Sequence, residues 1–229
     1  VSGIALTEAD GVRLLAFRRH LLDAALLAEL AGTLDDLAAE ARPLVLTGGG
    51  RIFLAGAHLG EIARLGAGTA GDYARRGRAV LSRLERHPAP VVAAVRGACA
   101  GGALDLALAC DLVVVHPRAR LGHPGVRRGL VTGWGGTARL AALPRTMTAR
   151  LVLTGAFLSG AEAAAAGLAD RVAEDTEAAA VAAALRLARL DPRRVTAWRL
   201  LKSGRFVDRS PIPVVHRLLM MDSEPWERA

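Results

Sequence analysis

The stretch VVAAVRGACAGGALDLALACDLVVV, residues 91–115, decides the architecture. Residues 91–95 are an unbroken apolar run, too short for a helix, and read as a buried strand. The glycine turn around Gly97–Gly102 opens into a short helix over GALDLALA, and LVVVH, residues 112–116, reads as the next strand. Two strands joined through a helix lie parallel in one sheet.

The same alternation extends in both directions. Residues 3–8 and 11–17 read as two short strands around a turn at Ala9–Gly11, and residues 23–40 have apolar positions at helical spacing. Residues 43–47 read as a strand, and residues 70–86 as a helix stopped by HPAP. Downstream, WGGTARLAALP and RTMTARLVLTG predict two helices. In LSGAEAAAAGL, Ser159 and Glu162 have the spacing of a capping box. Residues 169–173 predict a strand, and residues 176–190 and 192–206 two further helices. The expectation is an α/β domain with parallel strands, in which ligands bind beyond the carboxyl ends of strands. The glycine-rich segments after residues 43–47 and 91–95 both occupy such ends.

Composition narrows the function classes. The chain has 229 residues, 52% of them hydrophobic and 23% charged, which suits a globular fold with a sizeable core. No apolar run is long enough to span a membrane, and the first residues lack the apolar core of a signal peptide; a cytoplasmic protein is expected. Cys99 and Cys110 match no metal spacing and read as reduced core residues. The net charge is +8, and Lys202 is the only lysine. This points to an anionic partner. Aromatic residues are only 3%, which leaves no stacking platform for single-stranded nucleic acid, so the expected partner is a small anion or an acidic protein.

Two glycine-rich segments carry the chemistry. Gly101 and Gly102 stand where a helix begins, and a helix N-terminus offers unpaired N–H donors. The small residues of LAGA, within RIFLAGAHLGEI (residues 51–62), let a second stretch of backbone come close. Two such N–H groups converging on one oxygen would form an oxyanion hole. On spacing alone, two tight turns packed for steric reasons explain the pattern equally well.

Three blocks in order, LVLTGGGRIFLAGAHLGEI, HPAPVVAAVRGACAGGALDLALACDLVVV and GWGGTARL…LVLTGAFLSGAEAAAAGLADRV, resemble the crotonase superfamily, the enoyl-CoA hydratase/isomerase family, over about residues 8–175. The resemblance implies a spiral of β-β-α turns, with residues 1–175 as the core holding an acyl-CoA site and residues 176–229 as a shortened C-terminal helical oligomerisation region. It implies a homotrimer or a dimer of trimers, no metal, and no cofactor beyond the CoA carried by the substrate. The basic surface would also suit an acidic acyl carrier protein as the bearer of the thioester.

Carried over by position, the resemblance makes the N–H groups of Ala57 and Gly102 the donors that hold the thioester enolate, and Asp105 the acid/base. Asp105 lies one turn past Gly102, so its side chain is expected to face the same pocket; hydratases of the family have a glutamate there. Ala55, Gly56, His58 and Leu59 become CoA contacts, with His58 standing where the family has aspartate. Arg18 and Arg19 align with a region where a basic residue often meets CoA phosphates, or they form an ordinary solvated pair. The second family carboxylate falls at Gly125, twenty residues past Asp105. Hydration needs both a base for water and an acid for the α-carbon. His123 is the nearest residue able to substitute, or it is a pocket wall. Gly133 takes the place of another backbone donor, with Thr132 before it where proline is usual, and Trp134 packs against the acyl pocket or the turn. Enoyl-CoA hydratase is the default reading. The alternatives are a specialised dehydratase or decarboxylase of CoA- or carrier-bound acyl groups, and an inactive acyl-CoA-binding accessory protein. A nucleotide-binding module is the remote reading, since no G-x-G-x-x-G fingerprint follows the first strand.

Overall fold

The computed structural model describes residues 2–202. A six-stranded sheet forms the centre. In spatial order its strands are β1 (Ile4–Ala9), β2 (Val12–Phe17), β4 (Leu44–Gly48), β6 (Val91–Val95), β8 (Leu112–Val115) and β11 (Arg171–Val172). β1 and β2 form an antiparallel hairpin; from β2 onward every pairing is parallel. Strand alternation sends Leu44, Leu46, Val91, Ala93, Val95, Val113 and Val115 to one core, and Val45, Val92, Ala94 and Val114 to the other. Both faces are covered, which is why VVAAV has no polar position. The larger core takes in α1 (Ala24–Ala38), α3 (Ala67–Glu85) and α4 (Gly102–Ala109). The smaller is closed by α8 (Thr176–Ala188), whose Ala180, Ala183 and Ala184 let it sit close to the sheet.

Simple strand–helix alternation is only part of the design. Four short strands follow main strands and lie outside that sheet: β3 (Leu21–Leu22), β5 (Gly56–Ala57), β7 (Ala98–Ala100) and β9 (Arg120–Gly122). β3 pairs with β5, while β7 and β9 join β10 (Phe157–Ser159) in a three-stranded sheet. Each turn of the chain thus adds one strand to each layer before a helix returns it, the spiral of β-β-α turns that the family resemblance implies.

Asp23 caps α1 by accepting from the Leu26 N–H at 2.8 Å. The capping box forms as the sequence requires: Ser159 Oγ accepts from the Glu162 N–H, and Glu162 accepts from the Ser159 N–H, at the start of α7 (Gly160–Ala165). Cys99 and Cys110 are buried free thiols, and burial pushes Cys110 up to about 12. The last helix expected from the sequence appears as α9 (Pro192–Lys202); residues 203–206 lie outside the described residues.

Candidate active site

A cavity of about 490 Å³ lies beyond the carboxyl ends of β4 and β6, a volume that suits a small organic ligand. One wall is the 55–57 segment with α2 (Leu59–Ile62); a second is the face of α3 bearing Ala70, Tyr73 and Ala74. The floor is the turn from β7 into α4, and the last wall is the 123–134 segment, which begins with a 3-10 helix (Pro124–Arg128).

Backbone proximity shapes this floor. Gly56 has φ +102°, and a Cβ there would stand 2.4 Å from the Ala100 carbonyl oxygen, so only glycine lets β5 press against the β7–α4 turn. That contact brings Ala57 and Gly102 to one cavity. Gly102 is the first residue of α4, so its N–H has no acceptor within the helix. A Cβ at Gly102 or at Gly77 would fall within 2.4 Å of the Trp134 ring. The buried indole therefore lies against α3 and α4 together, with Tyr73 tilted against it at 5.6 Å between ring centroids.

The polar centre lies beneath. Asp105 is wholly buried and is not among the cavity-lining residues, so the expectation that its side chain opens on the pocket is corrected. The α4 helix turns the carboxylate inward, toward the start of α5 (Gly136–Leu140). One oxygen, Oδ2, accepts from the Thr132 hydroxyl. The other, Oδ1, lies 3.0 Å from His123 Nε2, but off the line of a hydrogen bond, so neither atom has an aligned partner among the described residues. Thr132 and His123 both line the cavity.

Ala55, Gly56, Leu59, Gly125, Gly133 and Trp134 also line the cavity. The Gly133 carbonyl accepts from Arg78 at 2.7 Å, which ties the 123–134 segment to α3. His58, Arg18 and Arg19 do not line it. His58 caps α2 through Nδ1, which accepts from the Glu61 N–H at 3.2 Å. Arg19 is engaged by Asp23. Tyr73, Arg128, Leu130 and Val131 belong to the cavity but escaped the sequence reading. Tyr73 could have been found from the i, i+3, i+4 spacing of Ala70, Tyr73 and Ala74 on the predicted helix. Burial, reinforced by Glu61, pushes the Tyr73 hydroxyl up to about 12.

The fold is shared with solved enoyl-CoA hydratases. The structure of the Bacillus anthracis enzyme superposes with a TM-score of 0.82 at 30% identity, covering 95% of this chain and 87% of that one. The family description "Enoyl-CoA hydratase/isomerase" matches residues 8–204, and the chain belongs to this family, within the crotonase superfamily. A probable enoyl-CoA hydratase of Bacillus subtilis is 37% identical over 160 residues, 68% of this chain and 62% of that protein. The human mitochondrial methylglutaconyl-CoA hydratase is 37% identical over 155 residues, 66% of this chain and 46% of that protein. The chain therefore matches about half to two thirds of the length of these curated relatives.

Proposed function

We propose that the protein acts on α,β-unsaturated acyl-CoA thioesters as an enoyl-CoA hydratase, with the thioester oxygen between the N–H groups of Ala57 and Gly102. The observation that carries this reading is the meeting of β5 and the N-terminus of α4 at one largely apolar cavity. Negative charge developing on the thioester oxygen is stabilised by fixed backbone donors and by the positive end of the helix. The names and folds of the relatives support the same substrate class. The reaction needs no metal or further cofactor in this reading. The working form is a homotrimer or a dimer of trimers in the cytoplasm, and among the described residues no helix is long and apolar enough to cross a membrane.

The test is the loss of enoyl-thioester absorbance when purified protein meets crotonyl-CoA, beside an Asp105→Ala control. Turnover that collapses in the control supports hydration at this site. One observation favours a second reading: among the described residues, no aspartate or glutamate lines the cavity. An accessory protein that binds acyl-CoA without converting it would show CoA binding by calorimetry and no turnover of any enoyl thioester. A specialised dehydratase or decarboxylase, including one served by an acyl carrier protein, would turn over other thioesters in a wider panel while leaving crotonyl-CoA intact.

A further inference from the structure

The family position for a second carboxylate is Gly125, and the remaining carboxylate, Asp105, is sealed from the cavity. Among the described residues, the titratable side chains that line the cavity are Tyr73, His123 and Arg128. Tyr73 holds its proton far above neutral pH, and a guanidinium does not give one up. A histidine is the ordinary side chain that exchanges a proton near neutrality. His123 is 7% exposed, and its Nε2 is fully buried beside Asp105. Nδ1 has no hydrogen-bond partner among the described residues and is not fully buried, so it is the ring nitrogen that opens on the cavity.

We infer that His123 is the residue that carries the proton in this site, with Asp105 and Thr132 as positioning residues behind it. The inference rests on the enoyl-thioester reading above. The Asp105 carboxylate receives the Nε2–H, which leaves the Nδ1 lone pair facing the substrate. The Thr132 hydroxyl occupies the second carboxylate oxygen and fixes the plane of the group. The off-line approach of Nε2 and Oδ1 closes into a hydrogen bond with a small turn of the ring once ligand is bound, as catalytic hydrogen bonds commonly do.

The hydration step balances with one such group. Nδ1 takes a proton from water as the water oxygen bonds to Cβ, and the Cα=Cβ electron pair moves into the thioester to form an enolate. The enolate oxygen rests on the Ala57 and Gly102 N–H groups. As the enolate collapses, His123 returns the proton to Cα and is regenerated neutral.

The experiment compares wild type, His123→Gln, His123→Gly and Asp105→Asn in crotonyl-CoA turnover, with acyl-CoA binding and thermal melting measured on each. His123→Gln is expected to lower kcat by about 10²–10⁴-fold with KM within about threefold. Added imidazole should restore part of the activity of His123→Gly. Asp105→Asn should lower kcat by at least about tenfold at nearly unchanged KM, and shift the tautomer of His123 seen by 15N NMR, which a purely structural aspartate would not do. Turnover in His123→Gln within about threefold of wild type overturns the inference and leaves the hydratase reading intact. Wild type that binds CoA but hydrates nothing sinks the hydratase reading. The inference is then judged by exchange of the butyryl-CoA α-proton with D₂O. There Nδ1 takes the α-proton, the electron pair passes to the thioester oxygen, and a deuteron returns. Exchange lost in His123→Gln supports the assignment; exchange independent of His123, or none in wild type, overturns it.

Discussion

At the scale of single residues, Asp105 depends on a neighbour that has no side chain. A Cβ at Gly136 would stand 1.8 Å from Asp105 Oδ1 and 2.9 Å from the Thr132 methyl, so the buried carboxylate would have to move. Gly136→Ala is therefore expected to push the carboxylate away from His123, cost about 1–3 kcal/mol of stability as an overpacked core does, and lower kcat more than it raises KM. Denaturant unfolding and steady-state kinetics check both halves; an unchanged kcat would show that the carboxylate position does not matter. Much of this centre was legible beforehand. Gly102 and Ala57 follow from glycine-rich segments at strand ends together with the family pattern, Gly125 from the family pattern alone, and all three reach the cavity. The direction of the Asp105 side chain was not legible. Spacing fixes which turn of a helix a residue occupies, while the choice between cavity and interior is made by the α5 start and the 132–134 loop, which arrive from far along the chain. His58 illustrates the converse: a histidine that looks like chemistry beside a ligand loop is occupied as a helix cap.

At the scale of elements, the long strands and helices of the central layer were readable because each carries its own pattern. Both buried faces of β6 make it uniformly apolar, and α1 shows a helical stripe at Leu26, Leu27, Leu30, Leu34 and Leu37. The short strands β3, β5, β7 and β9 were hidden. Two or three residues such as Gly56–Ala57 or Ala98–Ala100 are too brief for a period-two signal, and they exist because neighbouring turns of the spiral pair with them. Local chemistry still governs how an element starts, as α7 shows. Its Ser159 and Glu162 satisfy each other's backbone donors. Ser159→Ala removes the acceptor for the Glu162 N–H and should cost about 1 kcal/mol, a drop of roughly 2–4 °C in Tm. Thr should restore most of it. A Tm within half a degree of wild type for the alanine variant would mean that β10 pairing alone sets the start of the helix.

At the scale of the whole molecule, the cavity and a buried charged seam lie at opposite ends of the sheet. The seam is where α9 docks beside the first residues of β6 and β8. Asp111 is 2% exposed; Arg199 meets it through two bonds of 2.6 Å and also donates to the carbonyls of His87 and Ala89. Asp111 further accepts from the Val91 N–H at 2.8 Å. His87 is buried in the same seam. Burial, with Arg199 adding to it, holds its pKa below 6.5, against the opposing contact of Nδ1 with the Ala89 carbonyl oxygen at 3.1 Å. A histidine depressed in the folded state binds its proton more readily when unfolded. Its contribution is thus complete above about pH 6.5 and is lost as pH falls from there toward its folded value. Tm should fall between pH 7 and 5, and less so in His87→Gln; parallel profiles would discount His87. Arg199→Ala leaves the Asp111 charge buried with one backbone donor, at a cost of about 3–5 kcal/mol, and adding Asp111→Asn should return part of it by removing the stranded charge. Because the seam grips the amino ends of β6 and β8 while the cavity lies toward the opposite end, folded Arg199→Ala is expected to keep wild-type KM and kcat below its melting range. A raised KM in that variant at low temperature would mean that the sheet transmits the docking of α9 to the cavity.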